Sequence, residues 1–161
     1  KRKKRIRSYL DKNISLPIQG LHRDMPAKFA ENSFLVPGDK IVGIVIPENG
    51  MTIFSVDSKE ILKYEKSPES WIKVEWKEEI DYTFISRIKI TIINEVGVLN
   101  SITSTIADFG GNITNLILNE RDNDFYNLII DINVNDSEHI TDIVKSLEGL
   151  PVVEDVKRFV G

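Results

Sequence analysis

The residues best suited to chemistry in this chain join an apolar strand to a helix, and they read Asn94-Glu95-Val96-Gly97-Val98-Leu99-Asn100. Gly97 allows the backbone to come close to a ligand because it has no side chain. The N–H groups of Gly97, Val98 and Leu99 fall at the predicted start of the helix, where they have no partner within it. Such N–H groups and the helix dipole suit a carboxylate. The alternative is that Gly97 only permits a tight turn and that the loop holds water.

No arrangement of residues typical of catalysis is found elsewhere in the sequence. The two histidines, His22 and His139, have no second histidine or His-Asp pair at the spacing of a metal-dependent hydrolase. The sequence also has neither a Gly-x-x-x-x-Gly-Lys phosphate loop nor a Gly-x-Ser-x-Gly elbow. We therefore expect no catalytic residue, no cofactor and no enzymatic activity in this chain.

Composition limits the remaining classes of function. The 161 residues suffice for one medium domain or two small ones, and the net charge of -4 argues against nucleic-acid binding as the main role. Basic residues are concentrated in 1–7, so we predict a basic linker over 1–13, although this run could also contact phosphate. The sequence has no cysteine and no apolar run of about 18 residues, so we expect a cytoplasmic protein that does not span a membrane.

Residues 14–78 have the pattern of a small antiparallel sheet with one helix. Two apolar runs, 40–46 and 51–56, flank an Asn-Gly pair and predict a hairpin. Asp57 or Ser58 is predicted to cap a helix that extends to residue 64 and buries Ile61 and Leu62. Residues 71–76 alternate between apolar and polar types, which predicts one half-buried strand with a Trp at each end.

Residues 84–161 predict the element order β-α-β-β-α-β. Alternating isoleucines mark the first strand, and a helical apolar pattern follows it and ends at Gly110-Gly111. Two further strands, a second helix capped by Asp136 or Ser137, and a last strand complete the order. This is the ferredoxin-like plan, with four antiparallel strands and both helices on one face. The fold class expected for the whole chain is therefore α+β.

The segment from Leu35 to Gly43 reads Leu-Val-Pro-Gly-Asp-Lys-Ile-Val-Gly. It resembles the core of the small zinc-finger-like (RIS) module near the C-terminus of long RelA/SpoT proteins, which make and degrade (p)ppGpp. The resemblance implies zinc ligands at four positions that are occupied here by Asn32, Ser33, Phe54 and Ser58. Because amide, hydroxyl and phenyl groups are poor zinc ligands, we expect no metal and predict that Phe54 packs in a core with Phe34 and Val56. Pro37, Gly38 and Asp39 are interpreted as a turn with Pro37 at its first corner.

The loop before the helix, followed by Gly-Asn-Ile at 111–113, resembles ACT domains, which are regulatory modules that often bind amino acids. Val96 stands where the family usually has proline. The resemblance implies a homodimer with a branched-chain amino acid between the two copies. One copy would contribute Asn94, Glu95, Val96, Gly97, Val98 and Leu99, and the partner would contribute Asn112, Ile113 and Asn115. We expect Val96, Val98 and Ile113 to line the site.

We interpret the chain as a regulatory fragment of a long, bifunctional (p)ppGpp synthetase/hydrolase of the RelA/SpoT type. Because it begins with Lys, we expect it to be part of a longer protein whose N-terminal domains carry the activity. The fragment would sense an amino acid, ribosome-bound tRNA or a regulatory protein and would change the balance between synthesis and hydrolysis of (p)ppGpp. Two alternatives stay open, namely a stand-alone ACT protein that binds amino acids and an RNA-binding adaptor. The candidates for phosphate contacts are Arg5, Arg7, Arg23, Lys28 and Arg87.

Overall fold

The computed structural model describes residues 7–8, 16–21, 24–122 and 124–160, which form two modules. The short strands of the N-terminal module are β1 (Arg7–Ser8), β2 (Ile18–Gln19), β3 (Ala27–Phe29), β4 (Ile41–Ile46), β5 (Gly50–Ser55), β6 (Trp71–Ile72) and β7 (Glu75–Trp76). Four of them form a sheet in the order β3-β5-β4-β6, in which only the β3–β5 pair is parallel. β2 pairs with β7, and β1 pairs with the first strand of the C-terminal module.

The hairpin between β4 and β5 confirms the sequence prediction. Its turn is closed by a hydrogen bond from the Asn49 N–H to the Ile46 carbonyl (3.0 Å), and Gly50 has a φ of +78°. A Cβ on Gly50 would lie 2.3 Å from the Pro26 carbonyl oxygen, so only glycine fits here. This close approach also lets the Met51 N–H donate to the same carbonyl at 2.8 Å, which fixes β3 beside β5.

The core of this sheet corrects three predictions. The helix over Lys59–Tyr64 is a 3₁₀ helix, which buries Ile61 but leaves Leu62 59% exposed. Because a 3₁₀ helix has about three residues per turn, adjacent side chains point further apart around its axis than in an α-helix. Phe54 is buried as expected, with Ile44 and Ile61, whereas Val56 lies after the end of β5 and is 39% exposed. Phe34 does not belong to this core, and its ring contacts the guanidinium of Arg87 instead.

Residues 71–76 form two strands rather than one. β6 pairs with β4 in the larger sheet, and β7 pairs with β2 in the smaller one. Each of the two tryptophans is half-buried and donates its indole N–H to a backbone carbonyl, Trp71 to Tyr64 (2.8 Å) and Trp76 to Asp39 (2.9 Å). The chain therefore changes sheets between the two tryptophans.

The C-terminal module has the predicted β-α-β-β-α-β order. Its elements are β8 (Tyr82–Ile93), α1 (Val98–Asp108), β9 (Asn112–Arg121), β10 (Phe125–Val134), α2 (Ser137–Glu148) and β11 (Val153–Arg158). The antiparallel sheet runs β11-β8-β10-β9. Alternate residues of β8 and β10 are buried against apolar residues of both helices, which places the helices on one face of the sheet. Among the described residues, no helix is long and apolar enough to span a membrane.

Asp136 caps α2 by accepting the His139 N–H at 2.8 Å, and Gly110 ends α1 with a φ of +78°. Both results agree with the predicted helix ends. His139 then connects the two helices, because its Nε2 lies 2.7 Å from the Phe109 carbonyl oxygen at the end of α1. His139 therefore has a structural role, whereas His22 lies outside the described residues.

Candidate functional site

The loop between β8 and α1 is open at the position where a ligand could approach. Gly97 has a φ of +83° and is the N-terminal cap residue of α1, and a Cβ added to it would have no atom within 4 Å. Since Gly97 has no side chain to accept a hydrogen bond, the first N–H groups of the helix point out of its end uncapped. An anionic group could bind there without displacing a protein side chain.

A cavity of about 360 Å³ lies beside this loop, and we call it the loop cavity. It is lined by Ile92, Asn94, Glu95, Val96, Gly97, Val98, Leu99 and Tyr126. All six residues proposed from one chain are therefore brought together. Tyr126 was not predicted, although its place on the strand next to β8, opposite Ile92, could have indicated it once the register was known.

Two of the three apolar residues expected to line the site, Val96 and Val98, do line the loop cavity, although their surroundings differ. Val96 is fully exposed, and Val98 is 3% exposed because it packs into the core of the module. Ile113 also packs against this core and does not line the loop cavity. Asn112 and Asn115 are exposed on β9, which β10 separates from β8, and within one chain neither residue lines the loop cavity.

The turn from Val36 to Asp39 connects the two modules. The Asp39 N–H donates to the Val36 carbonyl (3.1 Å), with Pro37 at the first corner and Gly38 at a φ of +97°, which confirms the predicted turn. The carboxylate of Asp39 forms a bidentate ion pair with Arg158 of β11, at 2.7 and 2.6 Å. This partner was not predicted because it lies 119 residues away in the sequence.

Two further contacts fix the same turn against α2. The Pro37 carbonyl accepts the Ser137 N–H at 2.7 Å, so a carbonyl of one module satisfies a free N–H at the start of a helix in the other. Val36 is fully buried in the core of the C-terminal module. We call this set of contacts, made by Val36, Pro37, Gly38 and Asp39 with Ser137 and Arg158, the turn joint.

Comparison with known protein families identifies both modules. Residues 16–77 match the model of the RelA/SpoT RIS domain, and residues 81–158 match that of the ACT domain. The chain is a RIS–ACT segment of the RelA/SpoT type. We refer to the N-terminal and C-terminal modules below as the RIS and ACT domains.

Relatives with curated descriptions extend over most of the chain. A GTP pyrophosphokinase rsh of Brucella abortus is 37% identical over 149 residues, which is 91% of this chain. A bifunctional (p)ppGpp synthase/hydrolase SpoT of Escherichia coli is 32% identical over 143 residues, or 89% of this chain. The chain spans about 20% of the length of each. It is thus homologous to the region of these enzymes that carries the RIS and ACT domains.

The structural comparison includes the crystal structure of the ACT domain from the GTP pyrophosphokinase of Chlorobium tepidum. That chain is 27% identical, with a TM-score of 0.43, and the match covers 48% of this chain and 99% of the other.

The four positions at which the resemblance implied zinc ligands have different structural roles in this RIS domain. Phe54 packs in the core, and Ser58 caps the 3₁₀ helix by accepting the Glu60 N–H at 3.3 Å. Asn32 has a φ of +55°, and the neighbouring Ser33 is only 5% exposed. In the part of the chain that the structure describes, no group of three His, Cys, Asp or Glu residues could hold a metal ion.

The predicted phosphate contacts receive little support from the structure. Arg87 donates from Nε and Nη2 to the two carboxylate oxygens of Asp131, at 2.7 and 3.0 Å, and its guanidinium lies 4.6 Å from the centre of the Phe34 ring. The hydrogen bond to Asp131 raises the pKa of Arg87, against the effect of burial. Lys28 is exposed, whereas Arg5, Arg23 and the side chain of Arg7 lie outside the described part of the chain.

Proposed function

We propose that this chain is a regulatory region of a bifunctional (p)ppGpp synthetase/pyrophosphohydrolase and that it senses an amino acid at the loop cavity. The observation that carries the proposal is the uncapped start of α1 beside a cavity of about 360 Å³. A ligand carboxylate would accept hydrogen bonds from the N–H groups that follow Gly97. The carboxylate of Glu95 and the ring of Tyr126, both in the lining, suit an ammonium group and an apolar side chain.

A second copy of the chain would complete this site. β9 is the edge strand of the ACT sheet, and three consecutive residues on it are exposed by 38%, 43% and 51%, namely Leu116, Ile117 and Leu118. An exposed apolar edge of this kind is suited to pairing with another strand. Pairing through β9 would bring Asn112, Ile113 and Asn115 of one copy to an interface with the other. This arrangement supports the proposed homodimer with a branched-chain amino acid between its copies.

The sensed molecule would bind one of two states of the whole enzyme more tightly than the other. Its binding would thereby change the balance between (p)ppGpp synthesis and hydrolysis in the cytoplasm. A ligand can shift such an equilibrium only by as much as its affinity differs between the states. The turn joint supports this proposal, because it would transmit a movement of the ACT domain to the RIS domain. Ribosome-bound tRNA or a regulatory protein could act on the same two domains.

Calorimetric titration of valine, isoleucine and leucine into the purified chain tests the sensor. We expect heat of binding from the wild type and none from Gly97→Val, because the added side chain occupies the approach to the helix end. Gly20→Val is a matched control, since Gly20 has nearly the same φ of +84° and lies in the other domain. An absence of heat from a folded wild type, or equal loss in both variants, would count against amino-acid sensing at this loop.

The regulatory part of the proposal needs the full-length protein. Synthetase and hydrolase rates measured with and without the amino acid that binds should change in opposite directions, and the change should vanish in Gly97→Val. If the amino acid binds but neither rate responds, the chain is an amino-acid-binding domain without this regulatory role. A steep loss of RNA affinity with salt, in place of amino-acid binding, would favour the RNA-binding adaptor instead.

A further inference from the structure

A second cavity, also of about 360 Å³, lies at the junction of the two domains. We call it the junction cavity. The RIS domain contributes the segment from residue 28 to 35, and the ACT domain contributes Phe84, Ile85 and Asp131. Its volume lies in the range of small-molecule sites, which occur preferentially at domain interfaces. It shares no lining residue with the loop cavity.

Aromatic rings form much of the wall, and neighbouring groups hold them in place. The Phe29 ring lies 5.6 Å from that of Trp76, which in turn meets Phe84 edge-on at 5.8 Å. The guanidinium of Arg87 lies 4.6 Å from the centre of the Phe34 ring and packs against it. These packed rings make a preformed apolar surface, to which a flat or compact hydrophobic body could bind without large rearrangement.

The backbone of the same wall is strained. Phe34 has a φ of +50°, in the left-handed region that costs a bulky residue roughly 1–2 kcal/mol, whereas the φ of +55° at Asn32 is one that asparagine tolerates. The RIS domain thus maintains this conformation in the wall of the junction cavity. Strain of this kind is concentrated at ligand-binding sites.

Two buried polar groups line the otherwise apolar cavity. Ser33 is 5% exposed, and among the described residues its hydroxyl has no hydrogen-bond partner. Asp131 is 7% exposed, and its carboxylate accepts two hydrogen bonds from Arg87 and a long one, 3.5 Å, from the Asn115 amide. Because a carboxylate offers about four acceptor positions, Asp131 can accept one more. The Ser33 hydroxyl and the remaining acceptor position of Asp131 are therefore available to a hydrogen-bond donor on a molecule in the cavity.

We propose that the junction cavity binds a small molecule with an apolar, ring-sized body and a head group that donates hydrogen bonds, such as an amine. The body would pack among Phe29, Phe34 and Phe84, and the head would donate to Asp131 and Ser33. Such a ligand contacts both domains at once, so its binding would stabilise their docked arrangement. This site goes beyond the amino-acid sensor proposed above, since it requires neither the α1 loop nor a second copy of the chain.

The experiment uses the whole chain and two soluble probes, 2-phenylethylamine and 3-phenylpropionate. Both have the same ring, but the first ends in a donor and the second in an acceptor. In ¹H–¹⁵N spectra, we expect millimolar 2-phenylethylamine to shift the amide signals of residues 29–35, 84 and 85, and to bind at least about tenfold more tightly than 3-phenylpropionate. Tighter binding of the carboxylate, or shifts confined to the loop cavity, would overturn the proposal.

Two variants then locate the binding site. Ser33→Ala removes the hydroxyl without filling the cavity and should weaken binding about three- to tenfold, the effect of one hydrogen bond. Ala30→Phe should abolish binding by filling the cavity, and if that variant does not fold, the result for Ser33→Ala decides alone. Gly97→Val should leave the binding of the amine unchanged, which separates this site from the sensor loop. Unchanged affinity in a folded Ser33→Ala would contradict the assignment.

Discussion

Two glycines of this chain lie in turns and have similar φ values, but one is closely packed and the other is open to solvent. Gly38 and Gly97 have φ values of +97° and +83°. A Cβ on Gly38 would lie 2.1 Å from the Ser137 Oγ in the other domain, whereas a Cβ on Gly97 would meet nothing within 4 Å. The first glycine allows two domains to pack closely, and the second leaves a helix end open. A left-handed glycine is therefore evidence of a ligand site only when the space beside it is empty.

The largest effect is expected from Gly38→Ala. The new methyl group would collide with Ser137 in a conformation already unfavourable for alanine, so we expect a loss of roughly 2–4 kcal/mol in the free energy of unfolding. Urea denaturation followed by tryptophan fluorescence measures it, because Trp76 donates to Asp39 within the same turn. Gly20→Ala is the control, since a Cβ there would approach only the Lys73 carbonyl oxygen, at 3.7 Å. Equal losses of stability in Gly38→Ala and Gly20→Ala would show that only the backbone conformation opposes alanine at residue 38 and that the contact with Ser137 contributes nothing further.

A smaller effect is expected from Asp39→Asn. This change removes the charge that pairs with Arg158, whose side chain is 20% exposed. We expect a loss of roughly 1–3 kcal/mol, less than for a fully buried pair because water reaches both groups. Asp155→Asn in the same strand is the control, since the Asp155–Lys157 pair is exposed and 4.0 Å long. That control should change stability by less than about 0.5 kcal/mol.

Gly97→Ala should have a smaller effect still. Only the backbone conformation opposes it, so we expect a loss of roughly 1 kcal/mol in the same denaturation experiment. A cost as large as that of Gly38→Ala would show that the loop is packed and would remove the contrast between the two turns.

The turn between β9 and β10 provides a third case, in which a side chain closes the turn. The Asp122 carboxylate accepts the N–H groups of Phe125 and Asp124, at 2.6 and 2.8 Å, and these bonds lower the pKa of Asp122. Because the pKa is lowered on folding, the stabilisation is present above the pKa of the unfolded chain and is lost as pH falls through that of the folded chain. Carboxyl NMR titration of the folded chain and of the urea-unfolded chain should show this difference. An Asp122 pKa equal in the two states would refute it.

The ACT domain was predictable because its signals are local. Alternation in β8, a helical apolar pattern in α1 and α2, and glycines at both helix ends each fall within about a dozen residues. The six loop residues of the candidate site are those that the resemblance to ACT domains implies, and they also lie within one short segment. Tyr126 was missed because its position beside Ile92 depends on strand register.

The RIS domain was less predictable because its strands are short and its contacts distant. The alternation of apolar and polar residues over 71–76 predicts one strand, because no local pattern shows that β6 and β7 pair with different strands. The exposure of Leu62 follows from the 3₁₀ geometry of a segment whose residues are equally compatible with an α-helix. The ion pair between Asp39 and Arg158 has no sequence signature, because any of the basic residues could have been the partner.

The burial of Val36 has a consequence for dissecting this protein. A fragment that starts at residue 81 would contain every helix and strand of the ACT fold but would lack Val36, which is fully buried in its core. Removing such a side chain leaves a void, which costs a protein stability in proportion to its size. We therefore expect the ACT fragment to be less stable than the whole chain, because part of its core belongs to the neighbouring domain.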